Sequence, residues 1–366
     1  MNSLPKTVQA IEEGNQHGLH PGCQLYVSLD GDIVANTGFG EAQSGRKLAH
    51  DMILPWFSAG KPITALAIAL LVAEDKLRWD TPVASVIPEF GRGRKDSIQI
   101  GHILTHTAGF RLGEVRCPET GWERILQCAC DAPLEPGWLP GQKAGYQRQA
   151  SWLVLGELVQ RVAGEPFPDY IRNRILSPLR MENCALGMDR SNLDLRADRI
   201  AVMHRSDHNG PQPHPAWKNL ERLLEPLPGA NACGPVSGLG KFYEHLLSIL
   251  QGRQGVLSRK LVIEMTRRQR ENLYDNTFRA TIDWGYGFII NSRCHGVEPL
   301  PYGFGALASD DAFGHGGVQS SSAFADPAHQ LVVAWSCNGM PGEEQHALRA
   351  HRINTAIYQD LGLNTH

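Results

Sequence analysis

Apolar and polar positions alternate along QLYVSL and again along DIVANT, with Asp30-Gly31-Asp32 between them, which predicts a β-hairpin close to the start of the chain. From Lys61 the period changes. KPITALAIALLVAEDKL is apolar almost all round, the pattern of a helix enclosed by protein on most sides, and Pro62 fits only a first helical turn, so the helix begins near 58–60. Between about 80 and 230 the segments 99–105, 122–130, 151–163 (ended by Gly164) and 167–175 read as helices separated by Pro and Gly. After a further helix over 241–250, closed by Gly252, strand patterns return in WGYGFIIN, SSSAFAD and QLVVAWSCN, and a last helix is expected over 344–361. Strands at both ends with helices between predict an α/β domain built from residues 1–60 and 231–366, and a helical domain over 61–230 inserted in it.

Composition narrows the function classes. The chain has 366 residues, 42% of them hydrophobic, and 35 basic against 38 acidic side chains for a net charge of -3, which excludes a disordered chain. No basic block stands out beyond Arg267, Arg268 and Arg270, so electrostatics give no reason to expect a nucleic-acid partner. Small neutral or weakly charged molecules are the expected ligands. No apolar region follows Lys6 near the N-terminus, and the longest apolar run, 63–73, is too short to cross a bilayer, so the expectation is a cytoplasmic protein without a membrane partner. Eight cysteines lie scattered without a CxxC pair, which predicts neither a zinc site nor a disulfide framework, and Cys128 and Cys130 read as reduced, buried thiols.

One tetrapeptide stands where chemistry could follow. In Ser58-Ala59-Gly60-Lys61, positions i and i+3 at a helix mouth project on one face, bringing an amine within reach of a hydroxyl. Ser3-Leu4-Pro5-Lys6 and Ser44-Gly45-Arg46-Lys47 have the same form, but one sits at the terminus and the other in a polar loop where nothing would desolvate the lysine. Ser58 lies between the apolar ILPWF and the enclosed helix. Free N–H groups at a helix start favour developing negative charge, and the same potential together with burial disfavours an ammonium, so Lys61 is expected to serve as a base. From these four residues alone, an ordinary N-cap serine followed by a solvated lysine stays open.

Together, WFSAGKPITALAIALL, KLRWDTPVASVIPEF, IGHILTHTAGF, PGQKAGYQRQASWLVLGELVQRVAG, ILSPLRM, GPVSGLGKFYEHLL and FGHGGVQSSSAFADP resemble, in order, the motifs of the serine β-lactamase-like superfamily, over roughly residues 20–360. That family includes class C β-lactamases, DD-peptidases, family VIII carboxylesterases and some acyltransferases. The resemblance implies an antiparallel sheet flanked by N- and C-terminal helices, with an all-helical insertion. It makes Ser58 and Lys61 the nucleophile and base of an SxxK element, Tyr146 the tyrosine that helps move the serine proton, and His315-Gly316-Gly317 the third element on a strand lining the site. It also implies an oxyanion hole from the N–H groups of Ser58 and Val318. Two positions depart from the lactamase pattern: Arg148 stands where asparagine is usual, and His315 where lysine is usual. Both changes resemble the esterase and acyltransferase branch, because an imidazole that is mostly neutral near pH 7 recognises a substrate carboxylate poorly.

The expected function is a serine acyl hydrolase acting on a small ester or acyl substrate, with no cofactor and no metal. The alternatives are an acyltransferase, an amide hydrolase of the β-lactamase or DD-peptidase type, and a non-catalytic binding protein on the same fold. Competing signals are weak. HGG at 315–317 resembles an α/β-hydrolase oxyanion segment, but no GxSxG occurs. His204 and His208 have a ligand-like spacing but lack the glutamate of HExxH, and Gly210, Pro211 and Pro213 predict an exposed loop. Ser320, Ser321 and Ser322 are expected to satisfy backbone groups, and Trp56, Trp138, Trp152 and Trp284 to pack the core.

Overall fold

The structure, a computed structural model, describes residues 4–111, 120–207, 210–217, 219–296 and 299–363. Seven strands make one antiparallel sheet: β1 Gly22–Leu29, β2 Asp32–Gln43, β3 Arg46–Lys47, β4 Ile289–Ile290, β5 Phe313–Gly317, β6 Ser321–Asp326 and β7 Leu331–Cys337. Their order is β4-β5-β6-β7-β1-β2-β3, so the first and last strands of this sheet in sequence meet at its centre. There β1 pairs with β7 from Cys23 opposite Cys337 to Leu29 opposite Leu331. The predicted β1–β2 turn forms at Asp30-Gly31, whose φ values of 54° and 88° are the left-handed pair that a two-residue hairpin requires.

Six longer helices dress the sheet or stand beside it: α1 Pro5–Gln16, α2 Lys61–Ala73, α3 Trp122–Asp131, α4 Ala150–Ala163, α5 Val236–Leu250 and α6 Glu343–Asp360. One face of the sheet, with Leu331, Val333 and Trp335, packs on Ile353, Ile357 and Tyr358 of α6 and Ile11 of α1. Val332 and Ala334 face the other way, onto Leu239, Phe242 and Tyr243 of α5, and that apolar cluster runs on into α2, α3 and α4. Burial on both faces explains why β7 reads as an unbroken apolar run. Every residue of α2 from Lys61 to Leu71 is buried, as its all-round apolar pattern requires.

Several expectations need correction. Short strands at Ala185–Leu186, His204–Asp207 and Gly210–Pro213 fall in the stretch expected to be all-helical. His204 is buried rather than exposed, because its strand pairs with Gly210–Pro213 on one side and Gly339–Met340 on the other; His208 lies outside the described residues. WGYGFIIN gives a strand only at Ile289–Ile290, since Gly287 takes φ 85° and turns the chain. The helix expected over 167–175 is helical at Phe167–Ile171 and then widens into a π-turn, Arg172–Leu176. Cys130 is a free buried thiol as expected, but Cys128, expected to be reduced, is disulfide-bonded; Cys117 lies outside the described residues. Cys128 is half-buried on α3, and the local CxC spacing does not reveal its pairing. Among the described residues no helix is long and apolar enough to cross a membrane.

Candidate active site

Ser58 sits in a single 3-10 turn, Phe57–Gly60, that leads into α2. The turn is wedged from three sides. Trp56 donates its backbone N–H to Ala232 (2.8 Å) and its indole N–H to Gly234 (2.9 Å), while Ser321 Oγ donates to the Trp56 carbonyl (2.9 Å). A Cβ at Gly60 would strike Ala232, and one at Gly317 would strike the Trp56 carbonyl, so both positions need glycine for this close approach. Phe57, immediately before the serine, is held at φ 51°, a left-handed conformation that costs about 1–3 kcal/mol for a residue with a Cβ. Such strain next to a nucleophile persists only because the surrounding contacts over-determine it.

Lys61 points back at Ser58. Its Nζ lies 3.0 Å from Ser58 Oγ and donates to the carbonyls of Arg148 (2.7 Å) and Gly229 (2.6 Å). The side chain is fully buried. In a neutral amine, the two N–H bonds can serve the two carbonyls, which leaves the lone pair directed at the serine hydroxyl. The two carbonyls thus fix the orientation that a base needs.

Tyr146 completes the trio, its phenol donating to Ser58 Oγ at 2.8 Å. The ring is held between His106 (centroids 4.6 Å apart) and Phe278 (4.5 Å). Its backbone is held by Asp275, whose Oδ1 accepts the N–H groups of Tyr146 (3.0 Å), Thr277 (2.9 Å) and Phe278 (3.0 Å). Asp275 is itself paired with buried Arg270 at 3.1 Å, and Arg270 also donates to the carbonyls of Thr105 and Ile282. Sequence reasoning missed this strut. It read Arg270 as part of a basic block, and only the buried aspartate five residues on could have hinted at a pair. His106, within IGHILTHTAGF, was likewise missed; it accepts the Gln147 N–H at Nδ1 (3.1 Å), and burial pushes its pKa well below the usual histidine value.

The third element lies on β5. His315 is buried, its Nδ1–H donating to the Gly316 carbonyl at 2.7 Å, and burial, reinforced by Lys61, brings its pKa down to about 3. It is therefore neutral and cannot stand in for the lysine charge. Beyond Gly317, Val318 lines with Ser58 a cavity of about 890 Å³, so the two residues expected to supply oxyanion N–H groups border one space. Arg148 lines it too, with its side chain exposed, while its carbonyl holds Lys61. Apolar lining comes from Phe57, Ile125, Trp217 and Leu227; Trp56, Trp138, Trp152 and Trp284 are all in the core.

Among the described residues one cluster could hold a metal ion, Asp283 with Cys294 and His295, but Asp283 already bonds Arg268 at 3.0 Å and the Asn272 N–H at 3.0 Å, and none of the three lines the cavity.

Comparison with known proteins agrees on one family, whose matched members include penicillin-binding proteins as well as esterases. The profile of the family described as Beta-lactamase matches residues 7–357. Esterase EstB of Burkholderia gladioli is 26% identical, over 90% of this chain and 89% of that one. Among solved structures, a family VIII carboxylesterase superposes with a TM-score of 0.79 at 23% identity, covering 98% of both chains. EstCE1, described as a hydrolase with promiscuous acyltransferase activity, superposes with a TM-score of 0.80 at 20% identity, over 98% of this chain and 99% of its own.

Proposed function

Because the chain belongs to the beta-lactamase family, we propose that it is a serine ester hydrolase working through an acyl-enzyme on Ser58. The observation that carries the reading is the convergence of Lys61 Nζ and Tyr146 Oη on one serine oxygen, at 3.0 and 2.8 Å. Lys61 takes the Ser58 proton as Oγ bonds to the ester carbonyl carbon, and the carbonyl oxygen gains the negative charge. The N–H groups of Ser58 and Val318 receive that oxyanion, a contribution of about 3 kcal/mol per donor in a dry site. When the C–O bond to the alcohol breaks, the proton held on Lys61 passes through the Tyr146 phenol to the leaving oxygen. Water repeats the cycle on the acyl-enzyme and releases the acid.

Esters are favoured over lactams by His315. A neutral imidazole with a pKa of about 3 offers no charge to a lactam carboxylate. The esterase relatives support the same branch. Acyl transfer to an alcohol is the second reading, supported by a cavity of about 890 Å³, which has room for an acceptor beside a short acyl group.

A fluorophosphonate probe is expected to label Ser58, and the label to vanish in Ser58→Ala. A folded wild-type sample that takes up no label would leave a non-catalytic protein as the better description. Short-chain nitrophenyl esters should be cleaved and a chromogenic cephalosporin hardly at all; efficient cephalosporin turnover would overturn the esterase assignment. Tyr146→Phe and Lys61→Ala should each lower kcat by about 10²–10⁴.

A further inference from the structure

The wall of the cavity that continues from Tyr146 has its own character. Phe278 lies 4.5 Å from the Tyr146 ring, Tyr302 lies 5.7 Å from Phe278, and the Tyr302 hydroxyl donates to Glu343 Oε2 at 2.9 Å. All four side chains line the cavity. Tyr302 is set firmly: it adopts φ 57°, and its ring covers Gly316 of the third element so closely that a Cβ there would clash. Burial raises the Glu343 pKa above the usual carboxylate value, while side-chain hydrogen bonds from Tyr302 and Gln319 pull the other way and anchor the carboxylate. Another part of the lining differs, because Phe57 meets Trp217 edge-on at 5.0 Å and Trp217 carries the Arg222 guanidinium at 5.5 Å.

The chemistry assigns this wall. The proton returned through Tyr146 must reach the departing oxygen, so the alcohol part of the ester lies on Tyr146's side. Resting on the acyl-enzyme reading above, we propose that Glu343, with the faces of Phe278 and Tyr302, selects an alcohol that carries a protonated or quaternary amine. Aromatic faces attract a cation through their quadrupoles, and a carboxylate at the end of the aromatic path supplies the counter-charge. The same wall repels a substrate whose leaving part bears a carboxylate. In acyl transfer the acceptor alcohol would occupy this wall, since it enters along the path by which the first alcohol leaves.

The test compares acetylcholine with its neutral carbon isostere, 3,3-dimethylbutyl acetate, by acid release. In the wild type kcat/KM is expected to favour the cation by about tenfold, mostly through KM, and the ratio to fall to within about twofold of unity in Glu343→Gln. Choline should inhibit nitrophenyl ester cleavage competitively, and about tenfold less well in that variant. Equal turnover of the two esters without choline inhibition overturns the inference, and so does a preference that survives Glu343→Gln. Fluorophosphonate labelling of the same sample separates the failures. Labelled Ser58 without any cation preference sinks this inference alone, whereas an unlabelled Ser58 sinks the acyl-enzyme reading and this inference with it.

Discussion

A histidine enclosed on a buried strand beside an amine loses its charge for two reasons, and at His315 burial outweighs the repulsion from Lys61. Its pKa falls from 6.5 to about 3, so between those values the unfolded chain binds the proton that the folded chain refuses. The stability linked to His315 is therefore complete above about pH 6.5 and is lost as pH falls toward 3. His106 and His346 are buried and shifted in the same direction, so they steepen the same slope. The urea midpoint should drop from pH 7 to pH 4.5, and His315→Asn should flatten part of that fall; an unchanged slope in the variant would contradict the neutral-imidazole account. At this scale the sequence was informative, since Ser58, Lys61, Tyr146 and His315 each lie in a short motif whose spacing survives in the string. Glu343 and Tyr302 were not legible, because nothing near either residue marks it as facing a cavity.

Elements hold these residues through partners that are distant or unremarkable in sequence. Asp275 receives three N–H groups from the Tyr146 and Phe278 segments while neutralising buried Arg270. Removing one member of a buried pair leaves the other uncompensated, so Asp275→Ala should cost about 3–5 kcal/mol of stability in chemical denaturation. Asp275→Asn keeps an acceptor but loses the charge; it is expected to fold, and to lower kcat more than KM because the Tyr146 phenol drifts from Ser58. Helix α3 depends on a similar device: the fully buried Lys95 donates to the carbonyls of Cys130 (2.8 Å) and Ala132, where the helix ends. Burial lowers the Lys95 pKa from 10.5 to about 8. The unfolded chain then binds more protons between pH 8 and 10.5, so this residue makes stability rise with pH across that window. Lys95→Met should remove that rise, read as the pH dependence of the urea midpoint. Helix positions such as α2 and α4 were readable from apolar period and Pro or Gly punctuation. The strand expected in WGYGFIIN was shortened because a positive φ at Gly287 overrides β-propensity.

On the scale of the whole molecule, the sheet closes only when the two ends of the chain meet, and the sequence pattern could place strands at both ends without revealing their order. The pairing of β1 with β7 is one part of that closure, and the other is carried by Asp360. Helix α1 begins at Pro5 after Leu4, which offers no side-chain cap. Asp360, at the end of α6, fills the role from the far end of the chain: its Oδ1 accepts the Lys6 N–H at 3.1 Å, and its Oδ2 accepts the Thr7 N–H at 2.8 Å and the Thr7 hydroxyl at 2.9 Å. A carboxylate at a helix N-terminus also meets the positive end of the helix dipole. No local rule finds such a cap, because capping motifs are sought within a few residues of the helix start. Asp360→Ala should cost about 1–2 kcal/mol, the usual loss on removing an N-cap. The loss should be local before it is global: amide exchange is expected to speed up across the first turns of α1 while β1 and β7 keep their protection. Ester turnover should hardly change, since Ser58 is anchored by 232–234 and β6 rather than by α1. If the exchange of α1 were unaltered, the clasp between the termini would be incidental to the closure of the fold.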